Sequence, residues 1–502
     1  MPLTQLSPLP KYRTDLVTRR LCATAHLDDD FARTAWKELA GDALTAVGLP
    51  LGINLVALVR HARQAVLRRE RRDAVLAVSV TVLVGCAALA VWALVGGHTT
   101  WAVVAAGISG GVLAFSWVVV FRAERAARAA ALALGRRQEP ARSLAPAVAP
   151  EVEKALEALK GANFVAYHAS VESVNPFVGS GWRIKEAVWT PIDVGRPAKD
   201  DQGRPQQIRP FDATDLHQYL AVEMPRLVGL ETLKARNRLY VRGLHVSHLG
   251  AGVLPDPTRR PLPVIPRQLV RSGAARPGAG AETYLCLRML GEGGRVVVTM
   301  HLRALLLMPR LSWEVASYVL PPLASRFDAV EYLPSGPAAL WWDTVRTVNE
   351  EYREAVFGAP DRLLKRSHQR HRLERELSGI RHEIRKGRMY YDYGAKDSLR
   401  ERVADWDRMG YAEERDATHF FQRLQQGVLI ATERFLEQHN VDTSDFESAQ
   451  RQIITTQTYH INGPVNGPSQ WGNNNSQGNQ PVAPPGAAPP GGGPSPAPAP
   501  GT

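Results

Sequence analysis

The stretch AVLAVSVTVLVGCAALAVWALV (residues 74–95), the link GGHTT (96–100) and the stretch WAVVAAGISGGVLAFSWVVVF (101–121) decide the fold of this chain. Neither apolar stretch contains an Asp, Glu, Lys or Arg. Each has about the twenty residues that a helix needs to cross a bilayer core. Because a helix satisfies its own backbone groups in hydrocarbon, the sequence predicts a transmembrane helical hairpin rather than two buried helices of a soluble core.

Arginines flank this hairpin on both sides, whereas its link carries no Asp, Glu, Lys or Arg. Lys and Arg next to a span favour the cytoplasmic side of a membrane. We therefore expect two spans in the inner cell membrane with both termini in the cytoplasm, and a bilayer with anionic headgroups as the partner of the arginines. The flanking arginines are Arg60, Arg63, Arg68, Arg69, Arg71, Arg72, Arg122, Arg125, Arg128, Arg136 and Arg137.

Small residues inside the two spans indicate close helix packing. Gly107 and Gly111 lie four residues apart in the second span, and Gly85 lies in the first. Glycines at this spacing let two helix backbones approach each other. Packing within the hairpin is the simpler prediction, and dimerisation of the hairpin is the alternative.

The composition excludes several classes of protein. The net charge of +12 comes partly from the arginines that flank the hairpin, and no nucleic-acid-binding motif occurs, so a nucleic acid is not a predicted partner. The three cysteines, Cys22, Cys86 and Cys286, are scattered and odd in number. This pattern favours a reducing compartment without structural disulfides or a zinc site. The first 40 residues contain no apolar core of a signal peptide, so the first span is expected to direct membrane insertion.

Shifts in composition divide the chain into seven segments with an α+β fold class. We predict an N-terminal helical cytoplasmic segment, the hairpin, a basic and Pro/Ala-rich linker, a mainly antiparallel cytoplasmic α+β domain, a charged helical hairpin, an Asn/Gln/Gly-rich motif and a disordered Pro/Gly-rich tail. In the same order, their bounds are 1–73, 74–122, 123–149, 150–357, 358–451, 452–480 and 481–502.

The N-terminal segment has helical periodicity over residues 12–40. Asp28 to Asp30 are consecutive and cannot share one helix face, so capping of a helix is a better interpretation than metal binding with His26. The apolar residues 44–59 are interrupted by Gly and Pro and are too short for a third span. We expect a helix of a small cytoplasmic domain there, with an interfacial or re-entrant helix as the alternative.

In the α+β domain, the clearest strands are Thr283–Leu290 and Arg295–Leu302, which a glycine-rich turn joins into a β-hairpin. Further predicted strands cover residues 164–171, 187–194 and 238–241. Residues 254–280 read as a long surface loop. The pattern predicts helices over residues 313–320 and 338–355.

No pattern in this domain names an active site. His245 and His248 lie close in sequence, but no third ligand follows at a recognisable spacing, so a metal site is not predicted. The glycine-rich turns at Gly179–Trp182 and Gly291–Gly294 lack the following helix of a phosphate loop. The sequence thus assigns no catalytic, cofactor-binding or metal-binding residue and no cofactor, and an enzyme is the less favoured class.

Two short apolar stripes predict that residues 361–392 and 396–438 pack together as an antiparallel helical hairpin. The first stripe has the 4-3-4 spacing of a coiled coil but is shorter than three heptads. The first consists of Leu373, Leu377, Ile380 and Ile384, and the second of Leu424, Val428, Ala431 and Phe435.

The segment 452–480 has no charged residue, is rich in Asn and Gln, and opens with a β-favouring run, which are ingredients of cross-β stacking. Its residues Asn462 and Gly463, and then Gln470, Trp471 and Gly472, resemble bacterial amyloid-signalling motifs related to the RIP homotypic interaction motif. That family implies an effector whose motif is templated by the same motif on a partner protein. Ser469 departs from the family pattern, because an apolar residue is expected there.

The hairpin and its Ala-, Arg-, Gly- and Pro-rich flanks resemble two-span membrane proteins of high-GC actinobacteria, a resemblance that implies no activity. Two functions are therefore predicted. The first is a non-enzymatic, membrane-anchored cytoplasmic protein that recruits or assembles partners through its C-terminal motif, either by self-association or with a motif-bearing protein. The alternative is a membrane-tethered enzyme or ligand sensor whose site lies in residues 150–357, which requires a concave pocket with convergent polar groups.

Overall fold

The computed structural model describes residues 15–41, 44–170, 175–276, 278, 280–444 and 446–456 as a mixed α+β structure with two long apolar helices. The helices are α1 (Leu16–Leu27), α2 (Asp29–Trp36), α3 (Leu55–Val95), α4 (Thr99–Arg136), α5 (Pro150–Ala158), α6 (Ala213–Glu223), α7 (Arg267–Ala275), α8 (Pro337–Phe357), α9 (Ala359–Arg385), α10 (Leu399–Arg402), α11 (Tyr411–Gln438) and α12 (Phe446–Thr456). The strands are β1 (Phe164–Tyr167), β2 (Trp182–Val188), β3 (Ile192–Asp193), β4 (Lys234–Arg242), β5 (Ala281–Leu290), β6 (Val297–Leu307) and β7 (Arg310–Leu320).

The two apolar stretches form α3 and α4, and both helices are long and apolar enough to span a membrane. They reverse direction at Gly97, whose φ of +73° is a conformation that glycine adopts without strain. In the most apolar 18-residue window of each helix, only 17% of the residues are buried. Apolar side chains such as Val84, Leu94 and Val103 are therefore exposed on the hairpin surface.

Residues 44–59 do not form a helix of their own. The chain is irregular up to Asn54, with a turn at Leu51 and Gly52. The side-chain oxygen of Asn54 accepts hydrogen bonds from the N–H groups of Val56 and Ala57 and caps α3. From Leu55, α3 continues without a break through the basic segment and the first apolar stretch. Its first turns are buried against α1 and α2. Asp28 caps α2 by accepting the Phe31 N–H at 3.0 Å, as the sequence predicted.

The helix α8 packs along α4 from the basic flank at Arg128 into the second apolar stretch. Its Tyr352 hydroxyl donates to the Leu113 carbonyl at 2.7 Å, and Trp117 donates to Asn349 at 2.9 Å. Next to it, the fully buried Asp73 carboxylate of α3 pairs with guanidinium groups of α9, which packs along α3. Thus α8 and α9 fasten the hairpin to the rest of the chain.

The sheet has the strand order β1-β4-β5-β6-β7-β2, and β3 pairs with β7. Only β1 and β4 run parallel among the described strands, so the sheet is mixed, with mostly antiparallel neighbours. The predicted β5–β6 hairpin is present. The helix predicted over residues 313–320 is wrong, because this segment is β7. Its Leu311, Trp313 and Val315 enter the core in alternation with Ser312 and Glu314, which is the periodicity of a strand.

One face of the sheet carries an apolar core with α6, α11 and α12. The stripe of α11 is buried there, while α9 lies along α3, so the predicted antiparallel packing of 361–392 against 396–438 is not what the structure shows. An apolar stripe indicates that a helix face is buried, and the larger apolar face of the sheet is the surface that covers it. Two further segments differ from expectation, because α7 lies within the predicted loop 254–280 and Ile453 of α12 is buried at the start of the predicted β-favouring run.

Candidate ligand-binding pocket

A cavity of about 430 Å³ opens at the edge of β4. β1 pairs with residues 239–242, so the first half of β4 has no strand neighbour on that side among the described residues. The helices α6 and α7 lie over this free edge and form the walls. The lining residues are Asn163, Thr214, His217, Gln218, Ala221, Val222, Arg236, Asn237, Arg267, Val270, Arg271, Ala274 and Thr283.

His217 of α6 lies at the bottom of this cavity with 1% of its surface exposed. The Ala304 backbone N–H donates to His217 Nε2 at 2.9 Å, and the imidazole stacks on Trp313. Burial, and next the positive charge of Arg303, lower the pKa of His217 to about 4. The ring is therefore neutral at pH 7, and because Nε2 accepts, its proton resides on Nδ1.

The Nδ1 atom of His217 is buried and has no hydrogen-bond partner among the described residues. A buried N–H donor without a partner costs about 1–3 kcal/mol, so native structures rarely keep one. The Oδ1 atom of Asn237, in the same lining, is also buried and without a partner. Two residues that line the cavity thus each have a buried polar atom without a hydrogen-bond partner in the described chain.

Cations dominate the charge of the cavity lining. Arg236, Arg267 and Arg271 line it, and no Asp or Glu does. Arg271 donates to Gln218 on the neighbouring helix at 2.8 Å, which holds its guanidinium at the rim. Val222 and Val270 contribute apolar surface. The pocket is therefore suited to an anionic ligand with an apolar body.

A second polar cluster lies on the opposite face of the sheet and is closed. The Ser180 hydroxyl is 2.9 Å from His301 Nε2, and the Tyr240 hydroxyl is 3.3 Å from His301 Nδ1. Phe177 stacks on the imidazole with 4.0 Å between ring centroids. None of the three polar residues is more than 1% exposed, so this serine–histidine pair contacts no solvent or substrate and acts in packing.

The glycine turn that precedes β2 is filled by the protein's own carboxylate. The N–H groups of Gly179 and Gly181 donate to Glu401 Oε1 at 2.9 and 2.8 Å. Both glycines have φ values near +90°, which a side chain would strain. The turn therefore holds α10 against the sheet and has no free donors for a phosphate.

The residues singled out from the sequence lie away from the pocket. His245 and His248 follow β4 with their rings stacked 6.2 Å apart, and no group of three His, Cys, Asp or Glu side chains suited to a metal occurs within the described residues. A Cβ atom added at Gly85, Gly107 or Gly111 would meet no heavy atom within 4 Å. The space beside these glycines is open, and their role in helix packing, within the hairpin or between two hairpins, stays a prediction.

The motif residues Asn462, Gly463, Gln470, Trp471 and Gly472 lie outside the described part of the chain. Conversely, the sequence did not identify the pocket residues. A signal was present, since Arg267 and Arg271 are four apart and share one face if their segment is helical. The sequence predicts a loop over residues 254–280, and a loop has no helix face that Arg267 and Arg271 could share.

A family model described as the AbeC-like domain matches residues 184–475. The match covers more than half of the 502 residues and includes β2 to β7, α6 to α12 and the pocket residues on α6, β4, α7 and β5. It begins after the two long apolar helices and ends within the Asn/Gln/Gly-rich motif of residues 452–480. No curated protein and no solved structure shows a significant match to the chain.

Proposed function

The chain belongs to the AbeC-like domain family, and from this premise we propose that its matched domain is a sensor that binds a small anionic ligand at the inner face of a membrane. In this proposal the α3–α4 hairpin is the anchor, and the pocket beneath α6 and α7 is the ligand site. The protein recognises a ligand and does not transform it.

The buried Nδ1–H donor of His217 carries the ligand-binding part of the proposal. Its tautomer is set by the Ala304 N–H, and its direction is set by the stack on Trp313, so the donor is held in place before a ligand arrives. A preorganised donor in a buried site adds affinity without an ordering cost. Arg267 and Arg271 add the positive charge that attracts an anion to the entrance.

The alternative that the protein is a membrane-tethered enzyme has less support than the ligand sensor. His217 is the titratable group at the bottom of the pocket, and its pKa of about 4 leaves it a weak base at pH 7. The serine–histidine pair that resembles a nucleophile and its base is closed beneath Phe177. Ligand binding, unlike catalysis, needs no stronger base and no exposed nucleophile in the pocket.

Membrane anchoring is supported by the exposed apolar surface of α3 and α4 and by the arginines at their ends. Fusions of green fluorescent protein and of alkaline phosphatase test the proposed topology in bacteria. We expect fluorescence without phosphatase activity for fusions at the C-terminus, and phosphatase activity for an insertion at His98. The reverse pattern would place the pocket on the outer side and overturn the anchor orientation.

Ligand binding is tested with the full chain in detergent by isothermal titration calorimetry. The probes are phenyl phosphate and the four ribonucleoside 5′-monophosphates, with phenol and the four nucleosides as neutral counterparts. We expect at least one anion to bind ten times more tightly than its neutral counterpart, because the pocket lining is cationic. If no anion is preferred, the sensor proposal fails.

Arg271→Gln should weaken the binding of that anion about tenfold, which corresponds to about 1.4 kcal/mol. The matched control is Arg226→Gln, because Arg226 follows the same helix α6 but is exposed and paired with Glu223. The control should bind like the wild type. Equal losses in both variants would mean that general charge, and not the pocket, attracts the anion.

Assembly through the C-terminal segment is a second candidate function, favoured by the extension of the family match to residue 475. Since Ile453 is buried in the core, the deletion that tests it should begin at residue 457. We expect the full chain to form larger oligomers in detergent than the chain that ends at Thr456. Equal sizes, together with a 457–480 peptide that stays monomeric and thioflavin-negative, would exclude assembly.

A further inference from the structure

β4 and β5 place like charges directly opposite each other. Lys234 of β4 is in register with Arg288 of β5, and Arg236 and Arg238 follow Lys234 on the same face of β4. Like charges that oppose each other across an antiparallel pair destabilise the sheet. Arg236 also lines the pocket, whereas Lys234, Arg238 and Arg288 do not.

None of these four side chains forms an ion pair with a carboxylate of the described chain. Arg238 is buried and donates to the Ala162 carbonyl and to the Cys286 thiol, and Arg236 donates to the Gly161 carbonyl. The Nε atom of Arg288 is buried and has no partner among the described residues. The nearest additional cation, Lys160, is paired with Glu157 at the surface.

The surroundings of these groups are cationic. Partial burial, followed by the charges of Arg288, Arg236 and Lys160, lowers the pKa of Lys234. Burial, followed by the charge of Arg238, lowers the pKa of Arg288 to about 10. Arginine side chains stay protonated in proteins, so like charges meet on this face of the folded protein.

We propose that Lys234, Arg236 and Arg288 form a second ligand site, which binds a phosphate or pyrophosphate group. A phosphate bears up to two negative charges and several acceptor oxygens, and guanidinium groups bind it through paired hydrogen bonds. One such group between the strands replaces the repulsion of Lys234 and Arg288 by attraction and provides Arg288 Nε with an acceptor. The group belongs either to a free phosphate compound or to a phosphorylated lipid headgroup.

The experiment compares the melting temperature of the full chain in detergent with sodium pyrophosphate and with sodium chloride at equal ionic strength. We expect pyrophosphate to raise the melting temperature by several degrees more than chloride does. A second arm uses micelles that contain a phosphatidylinositol phosphate. Equal effects of pyrophosphate and chloride would mean that salt screens the repulsion without a site for a free phosphate compound, and the proposal is overturned if the lipid arm also gives no shift. A shift in either arm supports the site, and the arm that responds identifies the source of the phosphate.

The Arg288→Gln variant gives the sharper result, because the proposed site predicts opposite effects with and without phosphate. Without phosphate its melting temperature should exceed that of the wild type, since the repulsion with Lys234 is gone. With pyrophosphate its additional stabilisation should disappear, as the affinity falls at least tenfold. Lys234→Gln should behave in the same way.

Arg259→Gln, at an exposed residue paired with Asp256, is the matched control and should keep the wild-type response. A lower melting temperature of Arg288→Gln without phosphate would show that Arg288 is a structural residue and would overturn the proposal. Pyrophosphate binding that survives in Arg288→Gln and is lost in Arg271→Gln would assign the phosphate to the pocket instead. Although Arg236 is common to both sites, Lys234 and Arg288 do not line the pocket, so variants at these two residues distinguish the second site from the pocket.

Discussion

His217 on α6 and His301 on β6 are both fully buried, neutral imidazoles, but their hydrogen-bond environments differ. His301 has a hydroxyl group near each ring nitrogen and an aromatic ring over its face. His217 lines the cavity, and it has one nitrogen satisfied by the Ala304 N–H while the other is buried without a partner in the described chain. Burial, in both cases, lowers the pKa well below the usual value.

The comparison shows that burial and a shifted pKa do not by themselves identify a binding site. Structural and functional histidines share both properties. What distinguishes His217 is a donor that the fold positions and leaves unused next to a cavity. Both ring nitrogens of His301 are paired with hydroxyl groups, those of Ser180 and Tyr240, so His301 contributes to the stability of the fold.

The largest effect is expected for His301→Ala. The substitution removes two hydrogen bonds and leaves a cavity beneath Phe177, which should lower the free energy of unfolding by about 3–5 kcal/mol. Thermal and denaturant unfolding of the full chain in detergent measures it, and anion affinity should be unchanged in the folded fraction. His248→Ala, at an exposed histidine, is the control and should change stability by less than about 0.5 kcal/mol. A specific loss of anion binding in His301→Ala would contradict the distinction.

His217→Phe should cost about 2 kcal/mol at pH 7, because the Ala304 N–H loses its buried acceptor while the stack on Trp313 is kept. It should also weaken the anion probe at least tenfold, since the Nδ1–H donor is gone. A variant that unfolds less easily than the wild type and binds the probe normally would show that the donor has no role in recognition.

This variant also alters the pH dependence of stability. The pKa of His217 is about 4 in the folded protein and about 6.5 in the unfolded chain, so the unfolded state binds more protons between these values. The lowered pKa of His217 therefore contributes about 3 kcal/mol to the free energy of unfolding above pH 6.5, and this contribution is lost as the pH falls towards 4. We expect the difference in stability between wild type and His217→Phe to shrink and then to change sign over this range, because the loss of about 3 kcal/mol in the wild type exceeds the cost of about 2 kcal/mol at pH 7. A constant difference would mean that the pKa of His217 is not lowered by folding.

The smallest effect is expected for Tyr240→Phe. The hydroxyl is 3.3 Å from His301 Nδ1, a long and weak hydrogen bond, so its removal should cost about 1 kcal/mol. Ser180→Ala, which removes the shorter bond of 2.9 Å, is the comparison and should cost more. If Tyr240→Phe were the more damaging of the two, the cluster would be held by the tyrosine and not by the loop serine.

The sequence predicted the elements whose signals are local. The two apolar stretches became α3 and α4, the glycine-rich turn became the β5–β6 hairpin, and Asp28 caps α2. Elements with weak local signals were missed. The run before Leu320 contains Trp, Glu and Ala and reads as a helix, although pairing with β6 and β2 on either side makes it a central strand.

Packing partners were harder to predict than elements. The stripe of α11 was correctly expected to be buried, but it covers the sheet and not α9. The stripe itself states only that one face is apolar, and any apolar surface of matching shape can cover it. In the same way, the continuation of α3 from Leu55 depends on burial against α1 and α2, which the sequence of residues 44–59 does not encode locally.

By itself, the sequence determined where apolar length and charge suit a membrane span, because both are properties of consecutive residues. The tertiary structure alone decided where a ligand can bind. His217 became a directed donor through the N–H of Ala304, 87 residues away, and Lys234 came to face Arg288 through strand register. Those relations are set by how distant segments pack, and no local pattern of residues specifies them.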